Sequence, residues 1–349
     1  MFKASITEKD KNIPRLFFVA SGLVGILLYL VAGTANVVLD KPVHLLVIPR
    51  DCTLYQLREL LSKEKCIKNE TTFLWTASIL KYRPQDTPGL YRLTAGMNNW
   101  KMIRMLRGGL QYPTRITFSN TISKEELVEK VVNRIGLEKE ALLSLLNDPE
   151  YLAAYGFSPE NILTMFIPNT YEVYWTITAK QFFLKMHAAY QRFWNTQRLK
   201  QAESMGLSPI DVSILASIVQ SETNNQQEAA IIAGVYQNRL KRNMRIESCP
   251  ALIYLLKQEQ GNLKRVLRKD TFTSSPYNCY RKQGLPPGPI TFPSSIMIDA
   301  VLNYAQHDYL FFCAKEDFSG LHYFSRDYKE HLKKANKYKK ALNAQKVMR

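Results

Sequence analysis

No two cysteines stand as C-x-x-C, and the five histidines are scattered along the 349 residues. A metal centre with the common Cys/His spacings is therefore not expected, and no cofactor is called for. The same absence removes zinc fingers. An RNP-like aromatic strand and a helix-turn-helix pattern are also lacking, so nucleic acid is not the expected partner. Acidic residues are scarce beside basic ones: 30 Asp+Glu face 47 Lys+Arg, a formal net charge of +17. Such a surplus suits an acidic polymer or an anionic lipid surface. The cysteines are Cys52, Cys66, Cys249, Cys279 and Cys313, and an odd number leaves at least one without an intrachain partner. Internal repeats and low-complexity segments are absent. What remains is a chain long enough for two folded units with their own cores.

Long apolar runs are also scarce. A single one runs from Leu16 to Leu39 without a charged residue, and a spanning helix needs roughly 20 apolar residues. It is most apolar from Leu16 to Ala32; Gly33, Thr34 and Asn36 then dilute it. Lys3, Lys9, Lys11 and Arg15 precede it and only Lys41 follows closely. The positive-inside rule then puts residues 1–15 in the cytoplasm, a transmembrane helix over 16–39, and the bulk of the chain outside. The competing reading is a cleaved signal peptide; the length of the run and the lack of an A-x-A site favour an uncleaved single-pass anchor.

Beyond the run, periodicity and caps predict an α+β chain. A strand is expected at 43–49, a helix opened by a Thr53/Gln56 capping box, a helix at 71–81, a strand at 89–94, a helix at 99–109 and a strand at 114–119. These make a small α/β unit over 42–118. A larger mixed α/β unit follows over 119–349. It opens on a Ser123/Glu126 capping box, with Leu127, Val128, Val131, Val132 and Ile135 as the buried stripe and Gly136 as the stop. Helices are expected at 138–146, 148–155, 178–205, 209–223 and 226–241. Strands follow at 309–314 and 321–325, and a basic helix closes the chain at 327–345.

In the helix over 209–223, Leu215, Ile218, Val219 and Glu222 share one face. A carboxylate at the end of an apolar stripe is partly desolvated, which raises its pKa, and a carboxyl kept protonated near neutral pH is what a general acid needs. The bland alternative is a glutamate that ends its helix in solvent. A glycosidase pairs two carboxylates. Glu228, six residues on, would face elsewhere on a continuous helix, although Asn224 and Asn225 break that continuity. Downstream, SPYNCYRKQGLPPGPITFPSS (275–295) reads as a rigid non-helical wall. Its Tyr277, Asn278 and Tyr280 offer aromatic faces and an amide suited to sugar rings and N-acetyl groups.

The strings ASIVQSET, VYQNRL, PYNCYRKQGLPPGPI and YLFFCAKEDFSGLHYFS, with EH at 330–331, resemble in order and spacing the MltG/YceG-like endolytic murein transglycosylases. IPRDCTLYQLRELL and GLYRLTAGMNNWKMIRML resemble that family's LysM-like subdomain, so the small unit is expected to be LysM-like and the larger one catalytic. The resemblance implies cleavage of nascent peptidoglycan glycan strands between N-acetylmuramic acid and N-acetylglucosamine. No water enters; the muramyl C6 hydroxyl attacks C1 and leaves a 1,6-anhydro end. Glu222 matches the family's catalytic glutamate, acting first as acid and then as base. By the same resemblance Gln220, Asn238, Arg239, Tyr277, Asn278 and Tyr280 line the glycan groove, with His322 nearby, and peptidoglycan synthases are prospective partners.

The chain departs from the family's pattern at three positions. Gln220 stands where a second glutamate is common, Cys249 where an aspartate is usual and Cys279 where a threonine is usual. Both cysteines fall beside the expected groove, and a Cys249–Cys279 disulfide bracing it is one expectation, two separate thiols the other. A non-catalytic wall-binding or scaffold protein is the rival to the enzyme. A serine hydrolase would rest only on S-K-E-K at Ser62–Lys65, with no accompanying motif.

Overall fold

The computed structural model describes residues 21–22, 25–26, 29–118, 123–261 and 266–344. The chain divides into two compact units. The first holds residues up to 115 with 134–136 and 172–177; the second holds 116–133, 137–171 and 178–349.

In the first unit β1 (Val43–Ile48) pairs antiparallel with β2 (Gly89–Thr94), from Val43 opposite Thr94 to Ile48 opposite Gly89. Between them lie α1 (Leu54–Lys63) and α2 (Glu70–Ile79), and α3 (Asn99–Arg107) follows. Local chemistry sets these starts. Thr53 and Gln56 form the expected reciprocal capping box, and Asn69 and Asn98 cap α2 and α3. Alternation along β1 buries Leu46 and Ile48 and leaves Leu45 and Val47 exposed, so one face of the hairpin joins Leu57, Leu61, Phe73, Leu93 and Ile103 in a core.

Residues 16–20, 23–24 and 27–28 of the expected spanning segment lie outside the described residues, and among those described no single helix is long and apolar enough to cross a membrane. Its expected end at Leu39 is corrected. A π-helical turn closes at Gly33, and the chain then runs as isolated bridges, Ala35 with Asn98 and Val37 with Ile67. The cause is Asn36. Its buried amide donates to Asn99 Oδ1 (2.7 Å) and the Asn69 carbonyl (2.9 Å), and its Oδ1 accepts the Asn69 N–H (2.7 Å). A side chain with those obligations belongs to a protein interior, and Val37 beside it is 2% exposed in the first unit's core.

β3 (Thr114–Thr117) and β4 (Thr170–Val173) form a second two-stranded sheet. The second unit contains α4 (Lys124–Val132), α5 (Lys139–Asn147) and α6 (Pro149–Ala153). α4 ends at Asn133, so Gly136 is not its stop. Gly136 is glycine because a Cβ there would lie 2.4 Å from the Trp175 ring. The single helix expected over 178–205 is two, α7 (Ala179–Phe193) and α8 (Thr196–Met205). The break falls where buried Trp194 turns the chain and Asn195 caps a new helix by accepting the Arg198 N–H.

α9 (Pro209–Glu222) and α10 (Gln226–Lys241) follow, then α11 (Cys249–Gln260) and α12 (Ser295–Leu302), which the periodicity did not reveal. Their sequence signals are serine caps, Ser248 with Pro250 at the second helical position and Ser294. β5 (Phe311–Ala314) pairs antiparallel with β6 (His322–Ser325), and α13 (Tyr328–Ala344) closes the described chain.

α9 is the centre of the second core, and the amphipathic stripe expected of it is corrected. Val212, Ile214, Leu215, Ala216, Ile218 and Val219 are all buried, so the helix is apolar all round. Ser213 and Ser217 are tolerated there because each hydroxyl donates back to its own helix, to the Pro209 and Ile214 carbonyls. α10 packs closely enough that a Cβ on Gly234 would lie 2.4 Å from the Ala305 carbonyl oxygen and 2.6 Å from His307 Nε2. Gly234→Ala is expected to cost about 1–3 kcal/mol by overpacking, read as a lower urea midpoint with an unchanged slope.

Candidate active site

Glu222 is the last residue of α9, where the helix leaves the core. Thr223 turns the chain into extended backbone and Asn225 caps α10. The carboxylate is half-buried on the wall of a cavity of about 360 Å³ that it shares with Tyr236, Arg239, Cys249, Tyr280, Phe311, Phe312, His322 and His331. On its other side Glu222 also borders a second cleft of about 350 Å³, walled by Gln220, Thr223, Asn225 and the 319–321 turn.

Two neutral donors hold the carboxyl. Glu222 Oε1 accepts from the Tyr236 hydroxyl (2.7 Å) and the Ser248 hydroxyl (3.2 Å). Both donors are 1% exposed. Desolvation raises the Glu222 pKa; the two hydrogen bonds and His322 oppose the rise without cancelling it. Burial and the neighbouring glutamate push the Tyr236 hydroxyl well above its ordinary pKa, so it stays a donor. Ser248 also caps α11, which ties its rotamer to helix geometry. A carboxyl that is protonated more readily than usual, oriented by fixed donors and facing an aromatic-walled cavity is equipped for proton transfer to a glycosidic oxygen.

The residues expected in the groove separate into two groups. Tyr280, Arg239 and His322 line the cavity with Glu222. Tyr280 is partly buried, with its hydroxyl pKa raised by burial, Cys249 and Glu222. The other four do not line that cavity, and the amides of three of them are hydrogen-bonded to backbone. Asn238 Nδ2 donates to the His307 (2.6 Å) and Tyr309 (3.1 Å) carbonyls. Asn278 is fully buried, donates to the Thr271 and Thr273 carbonyls and accepts from the Tyr280 N–H. Gln220 borders the second cleft, but its amide donates to the Phe292 carbonyl (2.7 Å) and accepts from the Ser294 N–H (2.7 Å). An ionised glutamate at 220 would lack the donor that Phe292 needs, so the amide fits this chain's 292–294 turn. Tyr277 packs on Tyr254 and lines a separate cleft with Lys124 and Glu160.

Sequence reasoning missed Tyr236 and Ser248. Tyr236 lies in VYQNRL, one of the strings that carried the resemblance, and Ser248 lies beside Cys249, one of the departures from it, but nothing local shows that hydroxyls 14 and 26 residues away meet one carboxylate.

The Cys249–Cys279 disulfide is not formed, and all five cysteines are free thiols. Cys249 is exposed at the cavity, whereas Cys279 is 1% exposed in the core with its thiol pushed up to about 11. Ellman's reagent on the native protein is expected to modify Cys249 first and the half-buried Cys313 more slowly. Cys52, Cys66 and Cys279 should react only after unfolding; a 249–279 cross-linked peptide in a non-reducing digest would contradict this. Among the described residues, His44 Nε2, Glu64 Oε2 and Cys66 Sγ lie within 4.8 Å of one another. Burial and then Glu64 push the Cys66 thiol up to about 11.

Residues 46–337 match the model of the YceG-like family. The chain belongs to that family. A Bacillus subtilis (strain 168) protein named endolytic murein transglycosylase is 25% identical over 313 residues, covering 85% of each chain. A Streptococcus pneumoniae protein of the same name, from serotype 2 strain D39, is 24% identical over 316 residues; the match covers 81% of this chain but 56% of that one. The 2.6 Å crystal structure of a yceG-like protein from Listeria monocytogenes superposes with a TM-score of 0.53 at 24% identity, over 84% of this chain and 99% of that chain. That likeness speaks for the fold.

Proposed function

We propose that this YceG-like protein is a membrane-anchored endolytic lytic transglycosylase of peptidoglycan. In this reading Glu222 protonates the oxygen leaving from N-acetylmuramic acid C1. As carboxylate it then takes the C6 hydroxyl proton while that oxygen closes on C1. The product is a 1,6-anhydro end and no water is consumed. The observation that carries the reading is the Glu222 carboxyl itself, desolvated and held by Tyr236 and Ser248 between two open clefts. One carboxyl that is both protonated readily and fixed in place can serve both half-reactions, because each leaves it in the state the next requires. Clefts on both sides of Glu222 suit a chain cut internally rather than at its end.

The names of the Bacillus and Streptococcus relatives support the same activity. The small unit is the LysM-like part of this reading. The apolar run beginning at Leu16 is the anchor that holds the catalytic unit on the extracytoplasmic face of the inner membrane, beside the peptidoglycan synthases whose product it would trim. The test is muropeptide analysis of un-crosslinked glycan treated with the purified protein. Anhydro-ended fragments are the expected products; retention of the glycan without cleavage would favour the wall-binding reading.

A further inference from the structure

A second carboxylate lies behind a histidine of the cavity wall. Glu228 lies in the first turn of α10 and is 6% exposed. Its Oε1 accepts the His322 backbone N–H (2.7 Å) and its Oε2 accepts from the His322 ring at Nδ1 (2.9 Å) and from the Thr223 hydroxyl (3.2 Å). The α10 N-terminus favours negative charge at that position, and an ionised carboxylate only accepts hydrogen bonds. Nδ1 must therefore carry the ring hydrogen. His322 sits on the cavity wall with Glu222, its ring edge-on to Phe312, and the nitrogen left for the cavity is Nε2.

We propose that Glu228 is a positioning residue that locks His322 as the Nδ1–H tautomer, so that Nε2 accepts a hydrogen bond from a glycan hydroxyl or amide N–H other than the hydroxyl that Glu222 deprotonates. The inference rests on the transglycosylase reading above. Its chemical sense is orientation: a sugar anchored at Nε2 through a neighbouring donor is held with its attacking hydroxyl between the Glu222 carboxylate and C1. It also explains the separation of the two glutamates. The bend at Thr223–Asn225 returns the chain so that Glu228 reaches the same site one residue further from the substrate, and the Thr223 hydroxyl ties the bend to the Glu228 carboxylate.

Glu228→Gln tests this in the full-length protein in detergent. The amide keeps an acceptor but can turn its NH2 toward Nδ1, which forces the hydrogen to Nε2. With isotopically labelled histidine, the ring-nitrogen shifts of His322 read the tautomer directly. Wild type should show Nδ1–H, and Glu228→Gln should show Nε2–H. Release of anhydro ends should fall about 10- to 100-fold in kcat with KM changed by less than about twofold. His322→Ala should lose as much, and the double variant no more than His322→Ala alone, because both act through one ring. Unchanged kcat in a variant whose tautomer has flipped, or losses that add, would overturn the inference. So would an Nε2–H ring in an active wild type, a measurement that needs no variant to fold. A wild type that releases no anhydro product overturns the functional reading and, with it, the place of the sugar at Nε2.

Discussion

Glu222→Gln is expected to reduce release of 1,6-anhydro ends by about 10³-fold or more, since proton donation and proton acceptance are lost together. Glutamine preserves shape and still offers an oxygen to the Tyr236 and Ser248 hydroxyls, so the fold should survive and substrate retention should persist. Stability separates this from a damaged protein. The folded-state pKa of Glu222 is raised by burial, so its contribution to stability is fully present below the unfolded value. It is lost as pH rises through the folded value. Glutamine carries no such charge. The variant should therefore melt at or above the wild-type Tm near pH 8 and match it at pH about 4. A variant that melts lower at both pH values would mean that the carboxyl is structural.

Arg239→Ala should have the largest effect on stability, about 3–5 kcal/mol. The guanidinium is 8% exposed. Its Nε donates to the Leu310 carbonyl (2.7 Å), and Nη1 reaches the Arg245 and Ile246 carbonyls and the Glu247 carboxylate. Phe311 lies under the charged group, 5.0 Å from ring centre to Cζ. Removal leaves buried carbonyls without donors and opens a hole beside the cavity. It also frees the 245–247 segment, which delivers Ser248 to Glu222, so residual folded protein should cleave poorly. Arg239→Lys should recover little of either property, because one ammonium cannot reproduce a planar fork with several fixed donors. Urea midpoints and anhydro-end release measure both effects. A loss below about 1 kcal/mol would show that the carbonyls find water instead.

The sequence alone determined the local layout of α9, α10 and β1 because their starts depend on residues within a few positions: Ser208 with Asp211, Asn225, and the alternation of 43–48. It also pointed to Glu222, less by its place at the end of an apolar stripe, which a plain helix end fits as well, than by the match of ASIVQSET to the family's catalytic string. Its reason was incomplete. α9 is buried on every side, so Glu222 is distinguished by the helix end it occupies and by its two hydroxyl donors. What the sequence could not assign was the employment of each amide and hydroxyl. Asn238, Asn278 and Gln220 look like sugar ligands in a string of letters, yet each satisfies backbone groups brought close by distant parts of the chain. A buried carbonyl left unpaired costs as much as a ligand contact gains, and that competition is decided only once the partners are in place. The same holds for Glu228, set aside on helical phase and restored to the site by the bend between α9 and α10 that lets it grip His322.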